Sequence, residues 1–402
     1  MSLRDFTPAA LASLAVTLLI AACGGGGNTG GGGGIGGTGG TMRLSITDAP
    51  ACGYDSVHVT VERVRLHQDA TAADGDAGWS EVVLSPARRI DLLTLTNGAI
   101  AELGEVVLPA GRYTQVRLVL ADNAATGVPA NAVRPTGGAE TALGTPSARQ
   151  PGGLRFAAAI DVAEGQVSEA VLDFDACKSI VRRGSAGQYD LKPVISAIPV
   201  RAGDGDRLIN GLRVTGFLDP SIAAGAAVSV QRDGVPVKAT VPDPAGRFVL
   251  YPVPTGTYDL VVTAPGRVVA VVSEVPVTAS SETRVNDAAH PVLPPTSAPR
   301  AVTGQVHPPS ATVRALQTVP GGPTVEVAWG PVDAGSGDFG LSVPVGLPIR
   351  AVYARAPATL DFAVNFAGTP SARIDARSDG ARKTIDIDPA AATVPPANFS
   401  FP

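Results

Sequence analysis

Histidine is scarce in this sequence, with four in 402 residues, as are cysteine (three), methionine and tryptophan (two each). None of the histidines lies in an HExxH pattern, and CxxC and GxSxG are both missing, so no zinc or serine-hydrolase signature is present. His290 and His307 adjoin prolines in or near linkers, while His58 and His67, nine apart, fall on opposite faces of an unbroken strand. Aromatic residues at 4% weigh against an extended sugar-binding platform, and Trp79 and Trp329 read as packing residues. The formal charge of −5 and the lack of a Lys/Arg cluster weigh against nucleic acid as a partner. Glycine (47) and proline (35) are spread along the chain and leave long helices little room.

The first residues have a short charged start (Arg4, Asp5), an apolar run from Ala9 to Ile20 and small residues before Cys23, the layout of a secretory signal over 1–22. That run is shorter than the roughly 20 apolar residues needed to span a bilayer. Ile20-Ala21-Ala22-Cys23 resembles the bacterial lipobox, which implies a lipid, palmitate included, on Cys23. A glycine-rich tract follows, and residues 23–41 read as anchor and tether. A flexible coil of that kind holds the first domain about 20–25 Å from its anchor. Three acyl chains would give lasting membrane attachment without a transmembrane helix. Gly24, where an aspartate would favour retention in the inner membrane, points by resemblance to the outer membrane, facing either the periplasm or the exterior.

With Cys23 used by the anchor, Cys52 and Cys177 remain, and an even remainder in an exported chain suggests a disulfide. It would close a loop of about 125 residues and contribute about 4–5 kcal/mol in the chain-entropy picture. The alternative is two separate buried thiols.

Residues 42–201 read as strands and turns. "SVHVTVERVRLH" alternates through Val57, Val59 and Val61, then changes parity to Val64 and Leu66, which hints at a bulge near Glu62–Arg63. "GRYTQVRLVL" sets Thr114, Val116, Leu118 and Leu120 against Tyr113, Gln115, Arg117 and Val119, so one face is apolar. The stretch from Leu92 to Leu108 is less regular and has room for a helical turn. "SITDAP", "VHVTVERVRLH", "GW", "IDLLTLTNG", "LPAGRYTQVRLVL", "LDFDACKSIV" and "YDLKPVI" occur in the order of a bacterial lipoprotein domain family of unknown function, which this segment resembles. The resemblance implies an exported β-rich domain and no reaction.

Residues 208–286 carry "GLRVTG", "GAAVSVQRDG" and "ATVPDPAGRFVLYPVPTGTYDLVVTAPG", and resemble a transthyretin-like or carboxypeptidase-regulatory-like β-sandwich. Pro244 and Gly246 meet the dihedral needs of the turn in "DPAGRF". Residues 301–402 echo this module at offsets of 88 (Gly216 to Gly304), 91 (Phe248 to Phe339) and 90 (Gly256 to Gly346), with "IRAVYARAP" standing against "YDLVVTAPG". They read as a degenerate second sandwich repeat. The proline-rich 287–300 between them reads as a stiff, extended linker. The expected fold is all-β: a sandwich-like N-terminal domain and two Ig-like/transthyretin-like modules.

Few groups suggest chemistry. Asp74, Asp76 and Glu81 in and beside "DGDAGW" offer a fragment of a calcium loop, without the acidic residue that closes an EF-hand. Asp173 and Asp175 in "LDFDACKS" put two carboxylates on one strand face, a pair suited to acid–base work, to a cation or to a solvated surface. Asp48 in "TDAP" reads as a turn-former. A lysine–asparagine isopeptide bond, known in some surface sandwich modules resembling the second and third segments, is not expected within either, because Lys238 and Lys383 do not sit where that pattern puts a lysine. The sequence therefore points to a non-enzymatic, lipid-anchored envelope protein that binds or scaffolds an envelope protein or polysaccharide and holds no cofactor. An accessory glycan- or peptide-binding subunit for an envelope enzyme is the alternative, and a hydrolase with an unrecognised site in the first domain is a third.

Overall fold

A computed structural model of the chain describes residues 39–48, 53–147, 152–184, 187–201, 211–355, 359–363 and 368–402. Among the described residues the architecture is all-β, with six sheets and only single helical turns. Gly37–Pro402 forms one compact unit.

The N-terminal domain is a two-sheet sandwich. Strand Gly40–Asp48 lies inside the smaller sheet, antiparallel to Ala101–Leu108 and parallel to Val167–Phe174, which Ile195–Arg201 flanks on the far side. Met42, Leu44 and Ile46 alternate into the core while Arg43 stays exposed. The eight-stranded sheet is organised around Tyr54–His67, whose register shifts between Val61 and Arg63 against both Ser80–Asp91 and Gly111–Leu120. That bulge returns Val64 and Leu66 to the face already occupied by Val59 and Val61. A 3₁₀ turn, Leu92–Thr94, follows Asp91, whose carboxylate accepts from Leu93 N.

In strand Gly111–Leu120 both faces are covered, not one. Gln115 Nε2 and Arg117 Nη2 donate to Ala72 O (3.2 and 2.7 Å) beneath the loop that carries Trp79. The Trp79 ring lies under the guanidinium groups of Arg65 and Arg117, 4.5 and 4.7 Å from its centroid.

The second module sets a three-stranded sheet (Arg247–Leu250, Val214–Phe217, Thr283–Arg284) over a five-stranded one (Val235–Thr240, Ala227–Arg232, Gly256–Thr263, Ala270–Val277, Ile349–Val352). The third repeats the order, with Asp338–Pro344, Pro299–His307 and Phe399–Ser400 against Thr324–Gly330, Thr312–Thr318, Ala372–Ser378 and Ala381–Ile387. One strand departs from the sequence echo. Ile349–Val352, within "IRAVYARAP", pairs in parallel with Ala270–Val277 and so extends the second module's sheet. The place equivalent to Gly256–Thr263 in the third module is taken by Ala372–Ser378. The proline-rich stretch 287–300 opens with a turn, His290 N donating to Asp287 O (3.2 Å), and is bonded along the second module, through Val292 N to Phe217 O (2.9 Å), Val268 N to Pro295 O (3.0 Å) and Ser297 N to Gly266 O (2.8 Å).

The three domains meet pairwise. The Asn97-Gly98 turn docks on the second module, where Asn97 N donates to Thr240 Oγ1 (2.7 Å) and Asn97 Oδ1 accepts from Val249 N (2.6 Å). Gln231 and Glu326 join the second and third modules by two reciprocal bonds of 2.8 Å, from Gln231 Nε2 to Glu326 O and from Glu326 N to Gln231 Oε1. Ala334 N to Arg182 O (2.8 Å) and Lys192 Nζ to Ser310 O (2.7 Å) join the third module to the first.

Candidate functional site

Charged side chains converge where these contacts meet. Strand Val167–Phe174 ends at Phe174, and Asp175 then caps the turn Ala176–Ser179, accepting from Lys178 N (2.9 Å). Asp173 is still in the strand and is 9% exposed, because the second module packs over the face that sequence alternation leaves to solvent. Its Oδ1 accepts from Nζ of Lys238, in strand Val235–Thr240 of that module, and the same Nζ reaches Asp48 O at 3.3 Å. Asp48 is 1% exposed; its Oδ1 accepts from Ala176 N (2.8 Å), and its Oδ2 has no hydrogen-bond partner.

Burial pushes the Asp48 carboxyl well above the ordinary carboxylate range; the Ala176 N–H opposes this, and the nearby Asp175 and Asp173 charges add to it. Burial also raises Asp173, against the opposing pull of Lys238. Asp173 and Asp175 do not share a strand face as expected, because the strand ends at Phe174; they do separate work, one in an interdomain ion pair and one in a cap.

A second chain of charges runs on from there. Lys178 lies 3.6 Å from both Asp175 and Glu326, and Arg314 bonds Glu326 (3.2 Å), Asp375 (2.8 Å) and Gly234 O (2.6 Å). Asp375, fully buried, also accepts from Arg382 Nε (2.6 Å). Its pKa is lowered: burial pushes it up, but the bonds from Arg382 and Arg314 outweigh burial.

Beside this chain opens a cleft of about 810 Å³ shared by all three domains. Val181, Leu191, Val235, Trp329 and Val332 form its apolar wall, and Lys178, Arg314 and Glu326 its charged side. The volume and mixed lining suit a mostly apolar ligand oriented by a charged group.

The other expected residues fall elsewhere. Asp74 pairs with Arg65 and lies 3.7 Å from Arg117; Glu81 pairs with Arg65 (2.7 Å); Asp76 accepts from Ala73 N (2.8 Å). Arginines and backbone therefore engage these carboxylates, and among the described residues no group of three or more His, Cys, Asp or Glu is arranged to hold a metal. Cys177, in the turn Ala176–Ser179, is disulfide-bonded, while Cys52 and Cys23 lie outside the described residues. Lys178, Lys238, Arg314 and Glu326 carried no functional signal in the sequence, because each takes at least one of its partners from another domain. One compositional clue existed: of only four lysines, Lys178, Lys192 and Lys238 all stand at the junction.

Among solved structures, two type II cohesin–X-dockerin complexes from Acetivibrio cellulolyticus, an N-terminal and a C-terminal interface mutant, align at 26% identity with TM-scores of 0.19 and 0.18. They cover 22% and 21% of this chain, which in turn spans 59% and 56% of theirs. A putative adhesin from Bacteroides ovatus aligns at 11% identity and a TM-score of 0.17, over 50% of this chain and 95% of its own. At these TM-scores the likenesses bear on neither fold nor partner. No curated protein matches the chain. Family models do match: the domain of unknown function DUF4382 over residues 39–193 and the carboxypeptidase regulatory-like domain over residues 213–289. These two matches fall on the seven sequence blocks of the first domain and on the turn-strand pattern of the second, in the order the resemblances implied.

Proposed function

We propose that this protein is a lipid-anchored envelope lipoprotein with a non-enzymatic role, binding a ligand in the cleft where its three domains meet. The cleft carries the reading: at about 810 Å³ it lies in the size range of small-molecule sites, at a domain interface, with an apolar wall and an ionic side. Such a pocket holds an apolar group by burial and fixes its orientation through Lys178, Arg314 or Glu326. The signal-like start and Cys23 support anchoring at the outer membrane, with the glycine tract leaving the domains free to meet a partner.

Anilinonaphthalene sulfonate, an apolar ring system with one negative charge, is a direct probe of the cleft. Val235→Arg places a long side chain into the cleft from a half-exposed strand position, and is expected to abolish dye binding without moving the urea midpoint. Equal binding by wild type and variant would refute the cleft as the site. The anchor is tested separately: Cys23→Ser should lose palmitate incorporation and release the protein from the membrane fraction. A Cys23→Ser protein that keeps both would remove the lipoprotein reading.

A further inference from the structure

Of the four lysines in the chain, Lys238 alone is buried, 4% exposed, and its ammonium group faces the buried carboxyl of Asp173 from another domain. Taking both charges out of water is costly, and their attraction offsets that cost only in part. Condensation to an amide would remove both charges and leave one N–H and one C=O. A third group stands beside the pair. The Asp48 carboxyl is 1% exposed, its Oδ2 has no hydrogen-bond partner, and its main-chain oxygen already accepts from Lys238 Nζ. An orphaned buried carboxyl oxygen needs an explanation, and a proton carrier beside a nucleophile and an acyl carbon supplies one.

We propose that Lys238 and Asp173 condense spontaneously into an isopeptide bond that joins the N-terminal domain to the second module, with Asp48 as the proton-transfer group. The neutral Asp48 carboxyl gives its proton to the Asp173 carboxylate and takes one back from the Lys238 ammonium, and the freed amine attacks Cγ of Asp173. The N–C bond forms as one C–O bond breaks. Nitrogen loses two protons in all, and these leave with the departing carboxyl oxygen as one water, so Asp48 ends as it began. No oxidant, metal or second substrate enters. Burial favours the neutral acid at Asp48, the form that protonates a leaving oxygen. The bond differs from an intra-module crosslink, because its lysine and its acid lie in different domains, with Asp173 in the strand beside Gly40–Asp48.

The test is intact mass spectrometry of the full chain after disulfide reduction. The wild type is expected to be lighter by one water than its processed, lipid-bearing sequence, and trypsin is expected to release a branched peptide joining residues 156–178 to residues 233–247. Lys238→Arg and Asp173→Ala should restore the full mass. Asp48→Asn keeps the shape of the side chain and should fold, but slow condensation by about 10²–10⁴-fold, the usual worth of positioned proton transfer. A wild type at full mass, or a missing water that persists in Lys238→Arg, would overturn the crosslink. Condensation at an unchanged rate in Asp48→Asn would overturn the role given to Asp48. None of these outcomes depends on whether the cleft binds a ligand.

Discussion

Asp48 and Asp375 are both buried carboxyl groups, and their surroundings push them in opposite directions. The pKa of Asp48 in the folded chain is raised above its ordinary value of 3.8, so the folded state holds that proton longer than the unfolded chain does. Its contribution to stability is complete below 3.8 and is lost as pH rises from there through the raised folded value. Asp375 is lowered; its contribution is present above 3.8 and is lost as pH falls through the lowered folded value. Urea midpoints measured across this acid-to-neutral range should therefore contain a falling component that Asp48→Asn removes and Asp375→Asn does not. At this scale the sequence showed Asp173 and Asp175 as a pair but could not show Lys238. In "VPVKAT" the apolar Val235, Val237 and Ala239 alternate with Pro236, Lys238 and Thr240, which reads as core side against water side. The second of those faces is where the N-terminal domain sits, through Asp173 on Lys238 and Asn97 on Thr240.

Individual elements were more legible, because their determinants are local. The parity change at Glu62–Arg63 is a register shift, and the irregular stretch after Leu92 opens with a helical turn. The repeat offset between Gly216 and Gly304 marks a shared packing device. Each glycine stands opposite a phenylalanine on the neighbouring strand, Phe248 or Phe339, and a Cβ there would come within 2.6 or 2.7 Å of the ring. Gly216→Ala and Gly304→Ala should each cost about 1–3 kcal/mol by overpacking, measured by urea denaturation. A second device links the first two domains: in "PAGRY" and "PTGTY" the tyrosine hydroxyl donates to the proline carbonyl four residues back, Tyr113 to Pro109 (3.0 Å) and Tyr258 to Pro254 (2.8 Å). The destination of Ile349–Val352 was not legible. A period-two pattern says which side chains face inward but does not say which sheet edge a short apolar strand will join.

On the scale of the molecule, Arg314 ties the parts together, bonding Gly234 of the second module and Glu326 and Asp375 of its own. Arg314→Met keeps much of the stem and removes the cation. It leaves Asp375 with Arg382 and Arg377, and Glu326 with Lys178. The expected loss is on the order of 2–3 kcal/mol, the scale of charged hydrogen bonds broken in a buried setting. Amide exchange at Glu326 should speed up, since that N–H donates to Gln231 across the same boundary. Unchanged protection at Glu326 would mean that apolar contact alone holds the two modules together.

The placement of strand Gly40–Asp48 bears on mechanics. The chain enters the described fold through this strand, which is flanked on one side by Ala101–Leu108 and on the other by Val167–Phe174. A tug along its axis from the N-terminal side loads both hydrogen-bond ladders in shear, so the bonds must fail together and not one after another. An edge strand peeled sideways would open at far lower force. With its first strand laced between two others, the domain resists extraction by a pull on its leading end.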